Sequence, residues 1–318
     1  LSNIHMPDYC TMNFTDKTLY SHIMKDNSTI KTRNDFNSVY TVNNTGTLYK
    51  STESIAGSTP ITVYYFSGNA KNNWVKFANF YWRIIRTNHD GSIRLLYSGT
   101  SPDTTEGYIG KSAFNSTYDS PKYVGYMYGE DDSTLEGIRA NTKDATIKTF
   151  IDTWYSNNLT SYTKYISKDA VYCNNRNATG YNTSGTFYFS LYENLVQGTQ
   201  LYDCTNTKDA FSGNNLDAKL TYPIGLMTAG ETMFAGSYLY QNLSNSMTWY
   251  YNNSEGASIT KTNDWWLLSP GFFKESKYAR VWIIGGSYYP GRLFDDNVFL
   301  SKAIRPVISI KGNLIWKS

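Results

Sequence analysis

The chain has 318 residues, enough for one large domain or two ordinary ones with a sizeable core. Only 17% of residues are charged and the net charge is +3, with no basic clusters, so there is no electrostatic case for nucleic acid or an anionic membrane surface. An aromatic content of 16% argues against disorder, and no run of about 18 apolar residues offers a bilayer span. The 29 Tyr stand beside abundant Asn, Ser, Thr and Gly, a mixture that suits a secreted or surface-exposed, strand-rich protein with polar loops.

In chain order, the opening LSNIHMPDYC lacks both the basic start and the apolar stretch of a signal peptide. The protein is therefore expected to be cytosolic or to follow a removed membrane anchor outside this sequence. Residues 13–25 carry Leu19 and Ile23 at i, i+4, which predicts a short helix with Thr15 or Asp16 as N-cap. Residues 26–60 are polar and read as an extended connector packed on the body, or as a stalk. Residues 1–60 thus form an N-terminal helix and connector, and the main domain spans 61–318.

Strands begin at ITVYYFSG. The run NNWVKFANFYWRIIRT follows, then the turn signal Asn88-His89-Asp90-Gly91, then SIRLLYSG, a meander of about three strands. Glycines 107, 110, 125 and 129 mark a looser region. Ile147, Phe150, Ile151 and Trp154 at i, i+3, i+4, i+7 predict a helix. Polar loops then surround one aromatic run, TFYFSL at 186–191, so that about 100–220 reads as an insertion. In YPIGLMTAGETMFAG a short strand leads to Thr228, three residues before Glu231, a capping box with Met233 and Phe234 facing the core. Strands with a few short helices and long polar loops make this an α+β chain.

The most informative stretch is 265–311. Ala279, Val281, Ile283, Val298 and Leu300 alternate with Tyr278, Arg280, Trp282, Asn297, Phe299 and Ser301, and period two assigns the sets to opposite faces. A face of Tyr, Arg, Trp and Phe suits binding better than solvation. Packing against loops 100–220 is the alternative for each of these side chains, most of all for Trp282 and Ile284 at mid-strand. Val281, Ile283, Val298 and Arg305 are assigned to the scaffold.

Catalytic and metal motifs are lacking. Gly107-Tyr108-Ile109-Gly110-Lys111-Ser112 is too short between its glycines to wrap a phosphate. His5, His22 and His89 lie far apart, with no zinc or triad spacing. The acidic clusters Glu130-Asp131-Asp132 and Asp295-Asp296-Asn297 lack the alternation of a calcium loop. No catalytic residue, metal or cofactor is assigned. Of the three cysteines, Cys173 and Cys204 sit in similar Tyr-flanked settings. They form a pair that leaves Cys10 free, or all three are unrelated thiols.

The blocks WWLLSP at 265–270, Ala279-x-Val281, Gly285 and AIRPVIS at 303–309 resemble the C-terminal end of a C-type-lectin-like domain. More narrowly they resemble variable proteins of diversity-generating retroelements, and NNWVKFANFYWRIIRTNHDGSIRLLYSG and YPIGLMTAGETMFAG are similar to the scaffold of a bacterial surface group of such proteins. The resemblance covers roughly 61–312. It implies a fixed scaffold, related also to formylglycine-generating enzymes, that displays a face rewritten by adenine-directed mutagenesis. The implied ligand is macromolecular or on a cell surface, and the implied location is the cell surface or outside the cell. Template codons AAY reach Phe, Tyr, Ser, Arg, Asp, Ile and Gly, which fits Phe272, Phe273, Tyr278, Arg280, Tyr288, Tyr289, Phe294, Asp295, Asp296 and Phe299. Lys274, Glu275, Lys277, Trp282 and Lys302 do not fit such codons. The expected ligand-binding set adds Lys274, Ser276, Trp282, Arg292, Asn297 and Ser301. The calcium motifs of sugar-binding lectins are missing, and Cys173 and Cys204 lie outside the matching C-terminal region, which disfavours the enzyme chemistry. A fixed-specificity adhesin of the same fold is the alternative.

Overall fold

The computed structural model describes residues 2–4, 18–40, 48–199, 201–243, 248–274 and 278–317. Helix α1 (Leu19–Asp26) buries Leu19 and Ile23 as expected, but Thr18 is its N-cap, closing a capping box with Ser21. Thr15, Asp16, His5 and Cys10 lie outside the described residues.

The polar segment after α1 contributes to the body. Strand β1 (Leu48–Glu53) pairs antiparallel along its whole length with β2 (Ile61–Phe66), and Leu48 and Tyr49 are buried. The run expected as one strand after β2 is a hairpin, β3 (Trp74–Phe77) and β4 (Phe80–Thr87), joined at Ala78 and Asn79. Both turn residues have positive φ, 52° and 66°, the geometry that follows the twist of a two-residue hairpin. Ala78 is an unusual residue for that conformation, and this hid the turn. After the Asp90-Gly91 turn, with Gly91 at φ 75°, β5 (Ile93–Tyr97) returns against β4.

Strand β6 (Lys111–Ser112) opens the looser region, and α2 (Thr146–Asn158) follows. Ile147, Ile151 and Tyr155 are its buried face, with Lys148 buried beside them between Asp144 and Asp152. Phe150 and Trp154 sit at the margin, Trp154 packing on Phe80 and Tyr97. The TFYFSL run divides into β7 (Phe187–Tyr188) and the start of α3 (Ser190–Gln197). Strand β8 (Ile224–Leu226) leads into α4 (Ala229–Ala235), whose Thr228–Glu231 capping box is present and whose Met233 and Phe234 are buried. The last strands are β9 (Trp265–Lys274), β10 (Tyr278–Ile284), β11 (Leu293–Asn297), β12 (Lys302–Ala303) and β13 (Pro306–Ile310).

These strands form two principal sheets, mostly antiparallel, with few short helices: an α+β architecture. One sheet runs β8-β13-β5-β4-β2-β1, and the other runs β11-β10-β9-β12-β6 with β7 paired to β9. The chain crosses between them at Ile304 and Arg305. Arg305 is fully buried, donating to the carbonyls of Tyr97 and Tyr250 at 3.1 and 2.5 Å and stacking on Trp265. A buried guanidinium held this way stays solvated by protein dipoles. Strand β9 has register shifts on both sides of Pro270, where a proline can sit in a strand without disrupting the ladder. The irregularity turns the Leu268 amide to the Met227 carbonyl, at 2.8 Å, and links the two sheets.

A second buried charge cluster locks α4 to the first sheet. Glu231 meets Arg86 at 3.0 Å and Arg94 at 2.7 Å, and Arg86 also meets Glu53 at 2.8 Å. Cys173 and Cys204 are disulfide-bonded, their Cα atoms 5.8 Å apart, which answers the pairing left open by the sequence.

Candidate functional site

Strands β9 and β10 are buried on both faces over most of their length, with Trp265 to Pro270 and Val281 to Ile284 all inaccessible to solvent. A sheet so enclosed is rigid, because its side chains have no room for alternative rotamers. Tyr278 and Arg280, at the open end of β10, reach the surface. Register places Arg280 opposite Asn297 and Trp282 opposite Asp295, so these four share one face. Asp296 and Phe294 oppose Val281 and Ile283 on the edge strand β11, where Phe294 reaches the same groove as Arg280 around the open edge.

Arg280 is held in place. Its Nε donates to the Asp295 carboxylate, its Nη2 to the Asp295 carbonyl at 2.7 Å, and its Nη1 to Asn297 at 3.2 Å. Asp295 is itself buried and accepts the Tyr240 hydroxyl at 2.9 Å. Burial first, and then the neighbouring Asp295 charge and that hydrogen bond, push the Tyr240 phenol well above its ordinary range, so it remains a donor. Asp296 pairs with Lys302 at 2.7 Å, and Lys302 with Asp264 at 3.3 Å. The second acidic cluster is therefore neutralised by internal cations.

Around this fixed pair lies a groove of about 460 Å³, lined by Phe272, Lys274, Arg280, Tyr289, Arg292, Phe294, Asp295 and Tyr240. The Arg292 guanidinium lies 5.5 to 5.9 Å from the ring centres of Tyr289, Tyr240 and Phe294. Among the described residues it has no carboxylate partner within 4.0 Å. The arrangement presents an aromatic-flanked cation to an incoming acceptor. Tyr288, 76% exposed, lies in the same connection between β10 and β11 as Tyr289 and Arg292. At the other end of the face Tyr278, Phe299 and Tyr118 cluster, with Tyr118 and Phe299 rings 4.8 Å apart; Ser301 is exposed nearby in sequence.

Three of the expected contact residues are not displayed. Phe273 is buried against Phe187, because the bulge at Pro270 turns it inward. Trp282 is 0% exposed, covered by Tyr192 and Tyr240. Asp295 is likewise inside, spent on Arg280 and Tyr240. Ser276, with Glu275 and Lys277, lies outside the described residues.

The face also contains residues that sequence reasoning passed over: Tyr118, Tyr188, Tyr192 and Tyr240. Tyr188 stacks on Phe272 and Tyr192. Each comes from a segment tied to the sheet backbone: Ala279 N donates to the Tyr118 carbonyl at 2.8 Å, Phe189 N to Gly271 at 3.2 Å, and Tyr240 N to Leu293 at 2.9 Å. The TFYFSL run was the one available signal, for Tyr188; for the others the sequence is ordinary loop.

A different, more enclosed cavity of about 220 Å³ is lined by Glu53, Arg86, Arg94, Tyr202 and Glu231. Burial would raise the Glu53 carboxyl, but Arg86 and His89 outweigh it and hold it at about 2. A carboxylate so stabilised is a poor general base near neutrality. Among the described residues no group of three or more His, Cys, Asp or Glu converges as a metal site. Among them, too, no helix is long and apolar enough to cross a membrane.

Comparison with family models, with curated proteins and with solved structures finds no match.

Proposed function

We propose that this chain is a non-enzymatic display protein of C-type-lectin-like fold, the variable protein of a diversity-generating retroelement, which binds a macromolecular or cell-surface ligand. The carrying observation is a Tyr-, Phe- and Arg-rich face seated on a sheet whose own side chains are almost all buried. Such a scaffold tolerates changes above it, because exposed positions bear little of the folding energy. Tyrosine supplies contact area at low entropic cost, and the tethered Arg280 and aromatic-flanked Arg292 supply orientation. The blocks that carry the resemblance, WWLLSP and AIRPVIS, are buried throughout, as a constant frame requires.

A cell-surface or secreted location is supported by the Cys173–Cys204 bond, since disulfides persist in oxidising compartments. Binding is favoured over catalysis because the buried carboxylates Glu53 and Glu231 are committed to Arg86 and Arg94. The reading requires no cofactor or metal.

Flanking DNA provides the direct test. The expected result is a reverse-transcriptase gene and an imperfect repeat of the 265–311 coding region that differs at template adenines. Absence of both removes diversification and leaves the fixed-specificity adhesin. A second test needs no ligand. Replacing Lys274, Tyr288, Tyr289 or Phe299 by Ser should each change stability by no more than about 0.5 kcal/mol in urea denaturation. Phe273→Ser and Trp282→Ser should each cost about 3–5 kcal/mol. Equal costs in the two groups would contradict a displayed face on a separate scaffold.

A further inference from the structure

The exposed side of α2 carries two parallel ridges whose chemistry the face around Arg280 does not use. Thr149, Thr153 and Asn157, spaced i, i+4, i+8, form a hydroxyl and amide ridge. Phe150 and Trp154, spaced i, i+4, form an aromatic ridge beside it, continued by Asn158. Together with Ser112, Asn115, Ser116, Thr117 and Tyr128 they line a groove of about 700 Å³, a volume within the ~300–1,000 Å³ of small-ligand sites.

Each ridge is fixed. Thr153 Oγ1 donates to the Thr149 carbonyl at 2.8 Å, so its oxygen retains acceptor capacity. Trp154 is braced from behind by Phe80 and Tyr97, and Phe150 lies over Gly110, where an added Cβ would come within 2.7 Å of the ring. Asn115, 3% exposed, sits in the lining with an Nδ2 that has no hydrogen-bond partner. An unspent buried amide donor is uncommon and points to a missing polar partner. Among the described residues the lining holds one charged side chain, Asp144, which shares Lys148 with Asp152 at 3.1 and 2.7 Å, so the groove offers no cation to an anionic ligand.

We propose that this groove is a binding site for a neutral oligosaccharide. A pyranose ring presents an apolar C–H face and an equatorial fringe of hydroxyls that both donate and accept. The aromatic ridge meets the first, and the hydroxyl and amide ridge meets the second. A peptide would need partners for its backbone amides in register, and among the described residues the strands that reach this groove are two residues long. The site is separate from the face around Arg280 and Arg292 and stands whether or not that face is diversified.

The test is calorimetric titration of the whole chain with cello-, xylo-, manno- and malto-hexaose at millimolar concentration, with hydrogen exchange to locate any binding. The expected result is that at least one hexaose binds and slows exchange within 112–117 and 146–158. Trp154→Ala should then weaken binding about tenfold or more. Because Trp154 also packs on the body, Thr153→Arg is the companion variant: Thr153 is exposed, Arg is a good helix former, and its side chain should block the groove without unfolding the protein. No binding of any hexaose, protection elsewhere, or binding unchanged in Thr153→Arg would overturn the proposal.

Discussion

Glu53 shows how a single side chain sets a condition for the whole scaffold. It is buried on β1, accepts from Arg86 at 2.8 Å and from the His89 amide at 2.6 Å, and is held ionised at about 2, against an ordinary value of 4.5. A carboxyl whose folded value is depressed stabilises the protein above its unfolded value and loses that contribution as pH falls through the folded one. Between about pH 4.5 and 2 the protein should therefore lose about 3 kcal/mol from this group. Denaturation of wild type and Glu53→Gln at pH 7 and pH 3 checks it. The gap between them should narrow at the lower pH, and a constant gap would mean that the Glu53 carboxyl titrates alike in the folded and unfolded chain. At this scale the sequence was silent, since nothing local to Glu53 announces Arg86 or Glu231.

At the scale of elements, local signals were read well where the chemistry is local. The Thr228–Glu231 capping box and the Asp90-Gly91 turn depend on residues within three or four positions, and both are present. Thr228→Ala should cost about 1 kcal/mol in thermal or urea denaturation. A larger loss would indicate that the cap also positions Glu231 between Arg86 and Arg94. The β3–β4 hairpin was missed because its Ala78-Asn79 turn lacks glycine, so the only sign of it was tertiary. The period-two reading of β10 was right in parity: Tyr278, Arg280 and Trp282 share a face. It could not say that Trp282 would lie beneath Tyr192 and Tyr240, which come from other parts of the chain.

At the scale of the molecule, the segments that join the elements are structural. Residues 48–53 complete a sheet, and residues 100–243 supply the aromatic rim around Arg280 and both halves of the disulfide. Cys173 and Cys204 are separated by 31 positions, and closing a loop of that length restricts the unfolded chain by about 3–4 kcal/mol. Unfolding with and without reductant should show a stability difference of that order. No difference would mean that the unfolded chain is already compact there or that the bond is not formed.

The sequence by itself determined the α+β class, the Thr228–Glu231 cap and the Asp90-Gly91 turn, and the two-sided character of β10. These follow from composition and from periodicities set by neighbouring residues. Tertiary structure alone decided which large side chains of 265–311 are displayed and which are core, that Asp295 is spent on Arg280, and that four tyrosines from elsewhere complete the face. Alternation assigns a side chain to one side of a strand. Whether that side meets solvent depends on what the rest of the chain lays over it.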